Sequence, residues 1–397
     1  MKTSIEQRLR DLQHFGEEGG VVPVIDVAAT STFLNPEDMA RTFQGELPGC
    51  YLYSRHSNPT VKAFSAKIAA LEGTEAALGV SSGMAAITAS LLQLLRQGDH
   101  LISSRVVYGG TYALFENLLP RFGIEVSFVD LDDEAALAAA VRPGRTKVLY
   151  AETMSNPMLT ISDLPRLARF KEKHGLKLVI DNTFAPLMVS PARFGADVVV
   201  HSATKFLSGA ADMIAGAVAG PRAFVDSLVD VNHGAVMLTG PVMDPRTAHE
   251  LYLRLDHLPL RVRAHSAAAL DFASFAEKLG VPTIYPGLAS HPHHARLREI
   301  ANPGFGFGGM VTIDCGDPKR ALALAKQLQD ARFGLYAVSL GFSRTLMSCP
   351  AVSTSSEIPE DKRRAMKLHE GLLRLSIGFT GHAEEMHERF AKAWKAL

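Results

Sequence analysis

A lysine that follows an apolar strand is the first residue in this chain whose setting suggests chemistry. The segment ADVVVHSATKFLSG runs a β-branched stretch into a turn that puts Ser202 and Thr204 beside Lys205. Ligands of open α/β sheets bind beyond the carboxyl ends of strands, and a lysine desolvated there has its ammonium form disfavoured, which suits a Schiff-base amine. The two hydroxyls would suit a phosphate. Taken singly, a loop lysine is far more often a solvated surface residue, so Lys205 needs partners. Asp181 is a candidate: it ends the strand KLVID, ahead of Asn182 and Thr183. A carboxylate at that end of a strand suits a protonated pyridine nitrogen, which makes the ring an electron sink, although alone it would read as a turn cap. The segment VSSGMAAITASLL reads as a strand end, a tight turn and a helix whose first amides, at Gly83 and Met84, are free to bind phosphate. Its plainer alternative is an ordinary serine cap. In VVYGGTY, Tyr108 precedes two glycines, where its ring could stack on a flat cofactor and its hydroxyl act as acid or base. In isolation it would be a core aromatic.

These residues need a sheet to hold them, and the sequence supplies one. From about residue 59 to 256, the short apolar runs EAALGV, DHLISS, EVSFVD, KVLYAE, KLVIDN and ADVVVHSA alternate with helical or Gly-rich stretches. That alternation argues for an α/β fold, a doubly wound, mostly parallel sheet covered on both faces. LPRLARFKEKHG, with Leu164, Leu167 and Phe170 near helical spacing and Gly175 at its end, is a crossover helix. Residues 1–58 begin with a helix over Ser4–Phe15 and continue as irregular, aromatic and proline-bearing chain, an arm lying on something else. Residues 257–397 carry a long helix, a Gly-rich loop, the strand MVTIDC, a helix from Pro318 to Arg332 and a last helix from about His382, a smaller α+β domain.

With 397 residues and 47% hydrophobic composition, the chain is long enough for a large core and two or three structural units. Lys plus Arg (41) equals Asp plus Glu (41), which leaves no basic field for nucleic acid. Cys50, Cys315 and Cys349 lie far apart without a CxxC pair, so a reducing, cytoplasmic compartment is expected and a disulfide framework is not. The first twenty residues lack the apolar run of a signal peptide, and no membrane association is expected. Gly304, Gly306 and Gly309 spell GxGxxG, but a strand follows where a dinucleotide site needs a helix, so a flexible loop is the reading. His291, His293 and His294 have no accompanying carboxylate or thiolate cluster, which points to a structural role rather than a metal site.

Together the motifs YSRHSNPT, SSGMAAI, YGGTY, ETMSNP, IDNTFAP, HSATKFLSG, HPHH, SLGFSRTL and LLRLSIG, in this order, resemble those of the transsulfuration (Cys/Met metabolism) family of pyridoxal-phosphate (PLP) enzymes. That family includes methionine and cystathionine γ-lyases, cystathionine γ-synthase and the homoserine-ester sulfhydrylases. The resemblance covers nearly the whole chain and implies PLP fold type I, aspartate aminotransferase-like. It implies that Lys205 carries PLP as a Schiff base and shuttles protons, that Asp181 pairs with the pyridine nitrogen and that Tyr108 stacks on the ring. Gly83, Met84, Ser202 and Thr204 would hold the phosphate, Thr183 would join the cofactor set, and Asn156 would lie near the phenolic oxygen. Tyr53 and Arg55 would reach that phosphate from a neighbouring subunit, so a homodimer or homotetramer is implied. Arg374 and the backbone around Ser339 would hold the carboxylate of an amino-acid substrate, a task suited to a bidentate guanidinium.

The reaction implied is loss of a group from Cγ of a 4-substituted 2-aminobutyrate, either as γ-elimination or as γ-replacement of the O-acetyl- or O-succinylhomoserine sulfhydrylase type. Departures from the family bear on the choice. Gly110 stands where methionine γ-lyases typically carry Cys, and Arg344 stands where cystathionine-using members usually have Glu facing the distal end of the substrate; an Arg there resembles the O-acetyl- and O-succinylhomoserine sulfhydrylases, and these deviant distal residues keep canavanine open. Ala113 and Ala210 are further departures, and the STSSEIP stretch looks more like lyases. Elimination stands slightly ahead. A homologue that binds the cofactor without turnover is the alternative of another class, and the complete set of Lys205, Asp181, Tyr108 and Arg374 argues against it.

Overall fold

The computed structural model describes residues 4–12, 20–47, 49–353, 359–365 and 368–397. The first helix is Ile5–Asp11, with Ser4 accepting from the Gln7 amide as its cap. Phe15, the expected end of that helix, and residues 354–358 of the STSSEIP stretch lie outside the described residues.

Among the described residues the strands form two sheets. The large sheet holds β1 (Ala76–Val80), β2 (His100–Ser104), β3 (Glu125–Val129), β4 (Thr146–Glu152), β5 (Lys177–Asp181), β6 (Val198–Ser202) and β7 (Gly216–Gly220), in the spatial order β1-β7-β6-β5-β4-β2-β3. From β6 to β3 every pairing is parallel, and β7 alone runs the other way, between β1 and β6. The six apolar runs read from the sequence all appear. β7, with the sequence GAVAG, does not stand out there because it lacks large β-branched residues.

Parallel strands are buried on both faces, and β5 and β6 show it: Leu178, Val179, Ile180, Val198, Val199 and Val200 are each at most 1% exposed. Alternate residues enter the two cores on either side of the sheet, Val179, Val198 and Val200 on one face and Leu178, Ile180 and Val199 on the other. The helix Leu164–His174 is capped by Asp163 and ends at Gly175 in the left-handed conformation, then leads into β5.

The smaller sheet holds β8 (Thr283–Ile284), β9 (Met310–Asp314), β10 (Leu335–Tyr336), β11 (Leu346–Ser348) and β12 (Leu372–Ser376) in the order β10-β11-β12-β9-β8. The helices Leu258–Lys278, Pro318–Asp330 and Ala383–Lys395 pack on it around Phe272, Leu324 and Phe390. The Gly-rich loop before β9 is pinned: the Gly308 amide donates to Ser266 Oγ (3.0 Å) and the Tyr285 hydroxyl donates to the Gly308 carbonyl (2.9 Å).

Candidate active site

The carboxyl ends of β1, β4, β5 and β6 open on one cavity of about 250 Å³. Its lining includes Ser82, Gly83, Met84, Tyr108, Asn156, Asp181, Thr183, Ser202, Thr204, Lys205 and Arg374; residues distant in sequence meet there because β4, β5 and β6 are parallel neighbours, β1 lies just beyond the antiparallel β7, and β12 of the smaller sheet brings Arg374. Glu152, Met154, Phe184, Ile214, Val338 and Leu340 complete much of the wall.

At the end of β1 the chain turns into the helix Gly83–Leu94. Ser82 caps it by accepting from the Ala85 amide (3.0 Å), which leaves the amides of Gly83 and Met84 facing the cavity mouth as anion donors. A side chain at position 83 would not fit, since a Cβ there would lie 2.6 Å from Ser202 Cβ. The glycine therefore lets this turn close on Ser202 and form a cradle of amides and hydroxyls.

Lys205 follows β6 and is largely buried. Its Nζ donates to Ser339 Oγ (3.1 Å), and burial, with the positive charge of Arg374 nearby, lowers its pKa to about 8. Ser339 lies on the loop before β11, whose Gly341 amide is anchored to Ser376 Oγ (2.8 Å). Arg374 on β12 is 2% exposed, donates to Asn156 Oδ1 (3.1 Å), and has its pKa lowered to about 10 by burial. A guanidinium with one protein hydrogen bond and a cavity before it is equipped to grip a carboxylate.

Asp181 is half-buried at the end of β5, and its partial removal from water raises its pKa. Opposing this, the Thr183 amide donates to Asp181 Oδ1 (2.9 Å), while His201 and the Tyr150 hydroxyl also favour the charged form. Thr183 Oγ1 in turn accepts from the Ser202 amide (2.8 Å), tying the β5 turn to the β6 turn. Thr204 is held through its hydroxyl against Ala215 (3.2 Å).

Tyr108 sits just before the helix Gly109–Ala113 and is 41% exposed at the mouth. Gly110 leaves room for its ring, because a Cβ at 110 would lie 2.6 Å from Tyr108 Cε1. The departure noted in the sequence is thus a packing relation with the Tyr108 ring.

Three expected site residues lie elsewhere. Tyr53 and Arg55 are exposed and do not line the cavity of their own chain; Arg55 donates to the Met237 carbonyl (2.8 Å). Arg344 is also exposed and lies outside the lining, to which the loop before it contributes Val338 and Leu340. Glu152, which does not stand out in the sequence, belongs to the cavity wall, with Tyr150 two residues before it on the same strand. Glu152 and Tyr150, on β4, are both buried beside Asp181; the signal was the acidic residue ending KVLYAE in the same way that Asp181 ends KLVID.

The histidine cluster works as structural glue. His293 Nδ1 accepts from the Ile161 amide (2.9 Å), His294 Nδ1 donates to the Pro286 carbonyl (2.8 Å), and His291 Nδ1 accepts from the His293 amide (3.1 Å).

The family model for Cys/Met metabolism PLP-dependent enzymes matches residues 9–395. The chain belongs to that family. The enzyme is 46% identical over 392 residues to a methionine γ-lyase of Arabidopsis thaliana, covering 97% of this chain and 89% of that one. It is 37% identical over 368 residues to an O-succinylhomoserine sulfhydrylase of Pseudomonas aeruginosa, covering 91% and 89%. A Campylobacter jejuni protein assigned as an O-acetylhomoserine (thiol)-lyase, solved with N′-pyridoxyl-lysine-5′-monophosphate at its position 205, superposes with a TM-score of 0.89 at 27% identity, covering 99% of this chain and all of that one. The fold is therefore PLP fold type I and the enzyme is PLP-dependent. The cradle at Gly83 and Lys205, whose pKa burial lowers to about 8, suit that cofactor's phosphate and aldehyde.

Proposed function

We propose that this enzyme catalyses γ-elimination on a 4-substituted 2-aminobutyrate, an S- or O-substituted homoserine such as methionine or cystathionine. Methionine and water would give methanethiol, 2-oxobutyrate and ammonia. The observation that carries this reading is the convergence of Lys205, Asp181, Tyr108 and Arg374 on one cavity, in a chain 46% identical to a methionine γ-lyase. That similarity outweighs the Gly110 departure.

When bound, PLP supplies an electron sink that acidifies hydrogens near the amino group. The roles of the protein follow from its own groups. The Gly83 and Met84 amides with Ser202 and Thr204 bind the phosphate, Thr183 holds the Ser202 turn in place, and Asp181 keeps a negative charge at the ring nitrogen. Asn156 orients Arg374 and the phenolic oxygen, and Arg374 binds the substrate carboxylate with the loop at Ser339. Lys205 Nζ, neutral in a sizeable fraction near pH 8, moves the proton at Cα, and the Tyr108 hydroxyl protonates the departing group.

We further infer a homodimer or homotetramer. Val21, Val24 and Leu34 on the arm are largely exposed, and a second copy of the chain would cover them while receiving Tyr53 and Arg55 at its phosphate. In this reading residues 1–58 are the arm, 59–256 the PLP-binding domain and 257–397 the C-terminal domain. Three free cysteines fit the cytoplasm.

γ-Replacement is the second reading, favoured by the likeness to an O-succinylhomoserine sulfhydrylase. Mass spectrometry of products from methionine, cystathionine, O-acetylhomoserine, O-succinylhomoserine and canavanine, each with and without sulfide, separates the two. 2-Oxobutyrate without sulfide supports elimination, whereas homocysteine formed only from an ester plus sulfide makes the enzyme a sulfhydrylase.

A further inference from the structure

We propose that Glu152 is a positioning residue of this site, its carboxyl group tying the backbone of Tyr108 to that of Asn156 and so holding the stacking ring and the Arg374 partner in register with Asp181. This rests on the reading of the cavity as the PLP site. Glu152 is the last residue of β4 and is paired directly with Asp181 across the parallel ladder, so both side chains leave the same face of the sheet at the same height. It is 7% exposed. Its Oε1 accepts from the Tyr108 amide at 2.6 Å, and the Asn156 amide donates to the same carboxyl group. Its own carbonyl is fixed by the Ser162 hydroxyl (2.7 Å). The Asn156 side chain then accepts from Arg374 (3.1 Å), so one carboxyl group supports both the ring side and the carboxylate side of the cavity.

The support matters most at Tyr108. No side chain caps the helix that follows it, so the contact from Glu152 to the Tyr108 amide is what fixes the start of that helix against the sheet.

The same geometry sets the protonation of Glu152. Asp181 faces it from β5, Tyr150 stands two residues before it on β4, Tyr108 and Asn156 approach from the flanking turns, and Lys205 and Arg374 line the far side of the cavity. Two carboxyl groups side by side cannot both ionise cheaply. Asp181 has Thr183, His201 and Tyr150 favouring its charge, while Glu152 has two backbone amides only, and burial with the charge on Asp181 pushes its pKa well up. The surrounding donors therefore favour the negative charge on Asp181 over Glu152, whose carboxyl oxygen accepts from the amides with or without its proton. A glutamine would do the same job, and an alanine would remove the acceptor of the Tyr108 amide.

The test compares wild type, Glu152→Gln and Glu152→Ala, each stripped of cofactor and titrated with PLP. Readouts are the PLP dissociation constant, the pH profile of the bound cofactor's absorbance, and kcat and KM for the best substrate. Glu152→Gln should bind PLP within about three-fold of wild type with an unchanged absorbance profile, whereas Glu152→Ala should bind about ten-fold more weakly, as expected for the loss of one hydrogen bond to a carboxyl group, and lose more in kcat than in KM. Wild-type PLP affinity and kcat in Glu152→Ala would overturn the proposal. So would a folded Glu152→Gln as impaired as the alanine variant, a comparison that remains available if Glu152→Ala fails to fold. Failure of the wild-type chain itself to bind PLP would instead overturn the cofactor reading on which this rests.

Discussion

Lys205 owes its lowered pKa to where β6 ends. Its amine is surrounded by protein and shares the cavity with Arg374, so the charged form is penalised and half of it is neutral near pH 8. The rate at which the cofactor-free protein captures PLP should rise with pH through about 8; stopped-flow absorbance would show this, and a midpoint near the ordinary lysine value of 10.5 would contradict it. Gly83→Ala should weaken PLP binding about ten-fold or more, since the added methyl would push apart the turn and Ser202 and misplace the phosphate donors; equilibrium titration measures it. Lys205, Asp181 and Gly83 are legible in the sequence because each sits where an apolar run stops and a turn begins. Glu152 obeys the same rule and is less legible, because an acidic residue at a strand end also reads as a cap. Arg344 shows the opposite limit: a motif position gives a residue's place in the chain, while the side-chain direction depends on how the loop before β11 lies.

Among the elements, the six apolar runs declare their strands because the parallel part of the sheet is buried on both sides and must be continuously apolar. β7 is hidden by its small residues: position 216 has no room for a side chain, since a Cβ there would lie 2.0 Å from the Ser82 carbonyl oxygen. The segment after β4 is also held from a distance. Ile161 has its amide bonded to His293 and its carbonyl bonded to Arg296 Nη1 (2.8 Å), which fixes the far end of the loop that carries Asn156. His293→Ala should cost about 1–3 kcal/mol, the range for a buried amide left unpaired, and should speed hydrogen exchange across residues 154–162. Thermal unfolding and exchange mass spectrometry check the two parts, and unchanged exchange in that loop would contradict the account.

For the molecule as a whole, acid should be the destabilising direction. His100 lies between Thr146 Oγ1 and Ser127 Oγ, at 2.9 Å each, and His265 donates from Nδ1 to the Ile377 carbonyl (2.7 Å). Burial first, then neighbouring positive charge, lowers the pKa of His100 and His291 to about 4, and burial does the same for His265. Since the unfolded chain binds these protons near pH 6.5 and the native chain only near 4, stability is full above about 6.5 and falls as pH drops through that window. Urea midpoints measured between pH 7.5 and 4.5 should decline accordingly, and His265→Phe should flatten the decline; a flat wild-type profile would contradict the assignment.

The central claim is that the Lys205 cavity expels the γ-substituent of a methionine-like amino acid. The most direct measurement follows methanethiol, 2-oxobutyrate and ammonia released from L-methionine, without added sulfide, by the PLP-loaded wild type and by PLP-loaded Lys205→Ala. The three products are expected in equal amounts from the wild type, with a loss of about 10²- to 10⁴-fold in the variant, the usual worth of a positioned acid–base group. Equal rates from the two proteins, or no 2-oxobutyrate from the wild type, would contradict it.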